Sequence, residues 1–158
     1  MAFALSTMRV TSSAFDNFQA IPARHAAEGD DLSPPLAWEN PPEGTKGYAV
    51  ICHDPDAPLV QHGSQGFVHW LLYNLPGSTV SLEEASAEGT RGRNDTQRNG
   101  YGGPMPPEGH GSHLYYFWVL ALDKPTALPE GISMDELLKQ IEPNLLGMNR
   151  LIGLYRRD

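Results

Sequence analysis

Five of the six histidines fall in two windows, His53, His62 and His69 in one and His110 and His113 in the other. Imidazoles grouped this way can pass protons near neutral pH, donate to anions when protonated, or ligate a metal when neutral. In the first window Asp54 and Asp56 flank a proline in Asp54-Pro55-Asp56-Ala57-Pro58. Two prolines hold such a loop in one shape, so its carboxylates keep fixed directions at little entropic cost. An Asp-His pair can serve as general base and acid. The same two aspartates can equally well cap neighbouring backbone amides as Asx turns, the commoner use of the residue in a tight loop.

The second window closes the most unusual stretch of the chain, Gly100-Tyr-Gly-Gly-Pro-Met-Pro-Pro-Glu-Gly-His-Gly-Ser-His113. Glycines let a ligand approach backbone amides closely, while Pro104, Pro106 and Pro107 fix the path of the loop. A stiff anion-binding rim built from those amides is one expectation, and a structured connection is the other. Neither common nucleotide signature is present. No Lys-Ser or Lys-Thr pair follows the glycines, and no G-x-G-x-x-G links a strand to a helix.

Other chemistries find less support. The spacings H-E-x-x-H, C-x-x-C and H-x-H are missing from the sequence, so no metal or other cofactor is expected. There is no G-x-S-x-G elbow, and the lone Cys52 lies within an apolar run, where a small buried hydrophobe is the simpler reading than a nucleophile. A single cysteine makes no internal disulfide and suits a reducing compartment.

The elements that must position these groups can be read from apolar runs and their stops. Residues 47–52 form a β-prone run that enters the proline-locked loop. Residues 67–75 alternate, with Phe67, His69, Leu71 and Tyr73 predicted on one face and Val68, Trp70, Leu72 and Asn74 on the other. Residues 114–122 are uninterrupted aromatic and aliphatic side chains, which predicts a central strand covered on both faces. Ser133 and Glu136 make a capping box for a helix whose stripe is Met134, Leu137, Leu138 and Ile141, ending near Pro143. Residues 151–155 suggest a last short strand.

Composition agrees with a β-rich chain. The 158 residues include 16 Gly and 14 Pro, more than a helical bundle of this size would carry, and suit one domain spanning residues 1–158. A net charge of −8 offers no footprint for nucleic acid or an anionic bilayer. Arg91, Arg93 and Arg98, like Arg156 and Arg157, are read as solvated surface charge. With no secretory leader and no apolar run of ~18 residues, a cytoplasmic location is expected, without stable insertion into a membrane.

Three ordered motifs then carry a resemblance. Asp54-Pro-Asp-Ala-Pro58, His69-Trp70, and the loop from Gly100 to Gly109 leading to His113-Leu-Tyr115 resemble the phosphatidylethanolamine-binding protein family, in particular its bacterial and archaeal Raf-kinase-inhibitor-like branch. Ser33-Pro-Pro-Leu-Ala-Trp38 followed by Pro42-Glu-Gly-Thr45, and Gly153-Leu-Tyr155-Arg156, are similar to that branch's upstream signature and the family's closing strand. The resemblance implies a mainly β fold of two packed antiparallel sheets with a few peripheral helices. It also implies a pocket for phosphate-like or carboxylate groups lined by Asp54, His69, Gly103, Pro104, Pro106, Pro107, His113 and Tyr115, with Asp56 as a neighbour. Two positions depart from the family pattern: Leu114 stands in place of the arginine of H-R-Y, and Pro143-Asn144 in place of Gly-His.

The expected function is a non-catalytic binding protein for a small phosphorylated or carboxylated ligand. By family analogy alone it would modulate a protein partner such as a kinase or protease and form a homodimer. The alternative is a hydrolase or lyase acting on a phosphorylated metabolite through an Asp-His pair.

Overall fold

A computed structural model describes residues 5–57 and 66–158. His62 and Pro58 of the motifs above lie outside them. Among the described residues nine strands form two sheets: β1 (Arg9–Thr11), β3 (Leu36–Glu39) and β6 (Ser81–Leu82) in the smaller, and β2 (Gln19–Ala20), β4 (Gly47–Asp54), β5 (Phe67–Pro76), β7 (Thr90–Arg91), β8 (His113–Leu122) and β9 (Leu145–Tyr155) in the larger. The larger sheet runs β2-β9-β8-β4-β5-β7. The pairings between these strands are antiparallel except β2 against β9.

Period-two alternation assigns the two faces of the larger sheet. Tyr48, Val50 and Cys52 of β4 and Tyr115, Phe117 and Val119 of β8 point toward the smaller sheet, where Val10, Leu36, Trp38 and Leu82 meet them. Ala49, Ile51, Leu120 and Leu122 point the other way, onto Leu137 and Ile141 of α1 (Met134–Ile141). That helix begins at the capping box, where the Glu136 amide donates to Ser133 Oγ at 3.2 Å. Leu138, predicted in the stripe, is exposed.

Three strand predictions need correction. β8 is central, but Leu114, Tyr116 and Trp118 are only half-buried, because the helix covers just the far half of that face. The final strand is much longer than residues 151–155, since pairing with β8 extends it back to Leu145. In β5 the simple alternation fails. Cys52 pairs with Trp70 and His53 with Val68, which leaves His69 as an extra residue on β5. This β-bulge turns Phe67 and His69 to the same side as Trp70, while Val68 joins Leu71 and Tyr73 on the helix side. No helix among the described residues is long and apolar enough to cross a membrane.

Candidate functional site

At one end of the sandwich the inward-facing positions of three strands run out of apolar residues. Asp54 ends β4, His113 begins β8, and Tyr115 follows on the same face, all three at most 2% exposed. His69 arrives through its bulge and meets the Tyr115 ring edge-on at 5.2 Å. Without the extra residue it would point toward α1 instead. The bulge is therefore what brings β5 into the site.

Hydrogen bonds settle how the two histidines present themselves. His69 Nδ1 stands 2.8 Å from the Gly102 carbonyl and His113 Nδ1 stands 2.8 Å from Asp54 Oδ2. A carbonyl or carboxylate only accepts, so each Nδ1 carries hydrogen, and each neutral ring keeps a bare Nε2. His113 Nε2 lies 2.7 Å from His110 Nδ1. While His113 is neutral, His110 must donate that bond, which makes an Asp54–His113–His110 chain. Burial holds the His69 pKa below its ordinary value, against the opposing pull of the Gly102 bond and the nearby Asp54 and Asp95 carboxylates. At neutral pH it is a neutral acceptor, not the cationic donor that a solvated histidine would supply.

Asp54 is fully engaged. Its Oδ1 accepts the Asp56 amide at 2.8 Å, the Asx turn weighed from sequence, and its Oδ2 holds His113. Asp56 does not line the cleft. Its carboxylate accepts the Leu114 amide at 2.8 Å and so fastens the loop to the start of β8. Tyr115 is different. Its hydroxyl is buried with no partner among the described residues. Burial first, then Asp54, pushes its pKa up, so it stays protonated.

These groups open into a cleft of about 440 Å³ lined by Ala27, Ala57, Phe67, Met105, Pro106 and Pro107 as its apolar part, with Asp54, His69, His113, Tyr115, Thr96, Arg98, Gly102 and Gly103. Pro104 is buried behind the wall, where its carbonyl accepts the Ala27 amide. The structure thus gathers Asp54, His69, Gly103, Pro106, Pro107, His113 and Tyr115 around one space and leaves Asp56 and Pro104 outside it. Arg98, read from sequence as solvated surface charge, is in the lining, and Thr96 stands beside it.

The loop is not a row of free amides. Between residues 102 and 107 only Gly102, Gly103 and Met105 have an N–H, the rest being proline. Gly102 donates to the His69 carbonyl at 2.8 Å, and Gly103 donates to Asp31 Oδ1 at 2.7 Å. Met105 alone is uncommitted among the described residues. Gly103 also has to be glycine, because a Cβ there would fall 2.3 Å from the His25 carbonyl oxygen. What the loop supplies is a rigid, mostly apolar wall.

Arg157 braces that wall from the far end of the chain. It donates to the Pro106 carbonyl at 3.1 Å and to Glu28 and Glu108 at 3.2 and 3.3 Å, while its own carbonyl accepts the Gly109 amide. Its sequence reading as solvated charge is corrected by these contacts. Because both glutamates are substantially exposed, Arg157→Ala is expected to cost only about 1 kcal/mol. Hydrogen exchange should nonetheless quicken at Gly109, with the core of β4 and β8 unchanged. Unaltered Gly109 protection would mean the guanidinium does not hold the loop.

Cys52 lies in the core beneath this site, and burial, then Asp54, raises its thiol pKa well above the usual range. Such a thiol is a poor nucleophile. No group of three or more metal-ligating side chains occurs among the described residues.

Comparisons with known proteins bear on the family and the fold. A sequence model described as phosphatidylethanolamine-binding protein matches residues 11–156. A UPF0098 protein of Aquifex aeolicus is 41% identical over 96% of this chain and 90% of its own length. Another, from Methanothermobacter thermautotrophicus, is 39% identical over 95% and 99%. Among solved structures, CT736 of Chlamydia trachomatis, described as a phosphatidylethanolamine-binding protein homologue, superposes with a TM-score of 0.87 at 32% identity, covering 96% of this chain and 98% of that one. Escherichia coli YbcL gives 0.87 at 28% identity, with 97% and 100% covered.

Proposed function

The chain belongs to the phosphatidylethanolamine-binding protein family, and from that premise we propose that its cleft binds a small phosphoryl- or carboxylate-bearing ligand in the cytoplasm. The observation that carries this reading is the Tyr115 hydroxyl. A buried polar hydrogen without an acceptor is costly and uncommon in a folded protein, and a ligand oxygen in the cleft would satisfy it. His113, aligned by Asp54, is the natural second donor. Once protonated it turns its Nε2 from an acceptor for His110 into an N–H that an anion can take in His110's place. The Met105 amide is a third.

The test is titration of isotope-labelled protein with O-phosphoethanolamine and with inorganic phosphate, followed through amide and histidine signals at pH 6 and pH 8. Saturable shifts at Met105, His113 and Tyr115, lost in Tyr115→Phe, are expected. No shift at millimolar ligand would reject the reading.

The Asp54–His113 pair also keeps an enzymatic reading open, since a carboxylate-aligned imidazole is the geometry of a general base. Turnover in a phosphatase and esterase panel that disappears in His113→Ala would favour it. Regulation of a protein partner is part of the proposal by family analogy only, and recovery of a stable complex with the full chain is what would support it.

A further inference from the structure

Arg98 is the one permanent cation among the described residues that line the cleft. The rest of the lining works against an anion at neutral pH. Asp54 contributes a buried negative charge, His69 is kept neutral by burial, and the chain as a whole carries −8. A ligand anion approaching that surface needs a fixed positive charge, and only one is offered.

The position of Arg98 fits that need. Its Nη2 lies 3.7 Å from where a Cβ on Gly102 would stand, directly over the residue whose carbonyl holds His69. Its commitments are loose: Nη2 is 3.7 Å from Asp31 Oδ2, beyond hydrogen-bond range, and Nε is 3.3 Å from Thr96 Oγ1. The Gly103 amide holds the other Asp31 oxygen, Oδ1, so that carboxylate is fixed in place without closing on Arg98. The turn that carries Arg98 does not depend on its side chain. Asn94 holds it by accepting from the Thr96 amide and donating to the Gly100 carbonyl, and Asp95 accepts the Val68 amide from β5. A guanidinium held by one long hydrogen bond and one loose ion pair, and mostly exposed at the mouth of a cleft with no other permanent cation among its described lining residues, can turn to a ligand at little cost.

The size and lining of the cleft define the other half of that ligand. About 440 Å³ is far more than a phosphate group requires and lies within the ~300–1,000 Å³ of pockets that enclose drug-sized molecules. Phe67, Met105, Pro106 and Pro107 supply apolar surface that a bare inorganic anion would leave uncovered. We infer that Arg98 is the charge-selecting residue of this site and that its ligand class is an amphipathic anion. The charged group meets Arg98, and an apolar body of aromatic or short-chain size lies on the Phe67–Pro107 wall. The inference rests on the anion-binding reading above and adds to it which residue selects charge and what the rest of the ligand is.

Calorimetric and NMR titration of the full chain with phenyl phosphate, inorganic phosphate and neutral phenol separates the two claims. Phenyl phosphate is expected to bind at least about tenfold more tightly than inorganic phosphate, and Arg98→Gln to remove about tenfold of that affinity while leaving phenol unchanged. Arg98→Lys should restore part of the loss, because it returns the charge without the planar fork. Raising salt from about 20 mM to about 500 mM should weaken wild-type binding of phenyl phosphate and barely affect Arg98→Gln, because a charge at the rim is screened. Equal affinity for the two phosphates, or an Arg98→Gln variant that binds like wild type while Tyr115→Phe does not, would overturn the inference and leave the anion site standing. Failure of every anion to bind wild type would remove both.

Discussion

Asp54→Ala is expected to lower stability by about 3 kcal/mol, and Asp54→Asn by about half of that, although neither change touches the apolar core. The carboxylate is 2% exposed and has two obligations, accepting the Asp56 amide through one oxygen and His113 Nδ1–H through the other. Alanine leaves both donors buried or half-buried with no acceptor. Asparagine supplies one acceptor and one donor where the site needs two acceptors. If its oxygen serves Asp56, its NH₂ faces His113, and the ring must change tautomer so that Nδ1 is bare and Nε2 carries the hydrogen. If its oxygen serves His113, the Asp56 amide is lost. The first arrangement keeps both contacts but forces the ring into its other tautomer, the second gives up the Asp56 bond, and in both a neutral amide replaces the carboxylate, so the cost is real but smaller than alanine's. Urea unfolding would give the stability order wild type, then Asn, then Ala. Nitrogen chemical shifts of the His113 ring would report the tautomer. An Asp54→Asn protein with wild-type midpoint and unchanged His113 shifts would show that the carboxylate does not position the ring.

How much of this was visible in the chain depends on whether a feature is local. The strands β4, β5 and β8 follow from apolar runs closed by proline or glycine, and α1 from its capping box, because each signal lies within a few residues. Period two also places Asp54, His113 and Tyr115 on the core-facing side of their strands. The bulge at His69 leaves no such mark. One inserted residue changes which face every earlier side chain takes, yet Phe67-Val-His-Trp70 reads as a regular strand. Strands of two or three residues, such as β2, β6 and β7, have no periodicity of their own and exist because a longer neighbour pairs with them. The loop misled for a related reason. Glycines near prolines suggest open amides, but the Gly103 amide is taken by Asp31, 72 residues away, and Arg157 reaches Pro106 across 51. Arg98 looked like solvent-facing charge because nothing within its own turn says that a cleft lies beside it.

His69 should make the fold sensitive to mild acid, and the direction follows from its surroundings. Burial lowers its folded-state pKa below the unfolded value of about 6.5, with His53 acting in the same sense and Asp54, Asp95 and the Gly102 bond opposing. Between those two pKa values the unfolded chain binds the proton and the folded chain does not, so stability rises with pH across that interval. The contribution is complete above about pH 6.5. It declines as the pH falls below that point, by at most about 1.4 kcal/mol per unit for a single proton, and levels off once the folded-state pKa is passed. Carboxylates protonating at lower pH add their own losses, so the useful quantity is the difference between two proteins. His69→Asn can still donate to the Gly102 carbonyl but has no proton to gain. Its urea midpoint should start below that of wild type at pH 8, because a smaller side chain no longer fills the space against Phe67 and Tyr115. The gap should then narrow between pH 7 and pH 5.5. A gap that stays constant through that range would mean that His69 does not titrate differently in the folded and unfolded chains, and its Nε2 would no longer count as a buried neutral acceptor in the cleft.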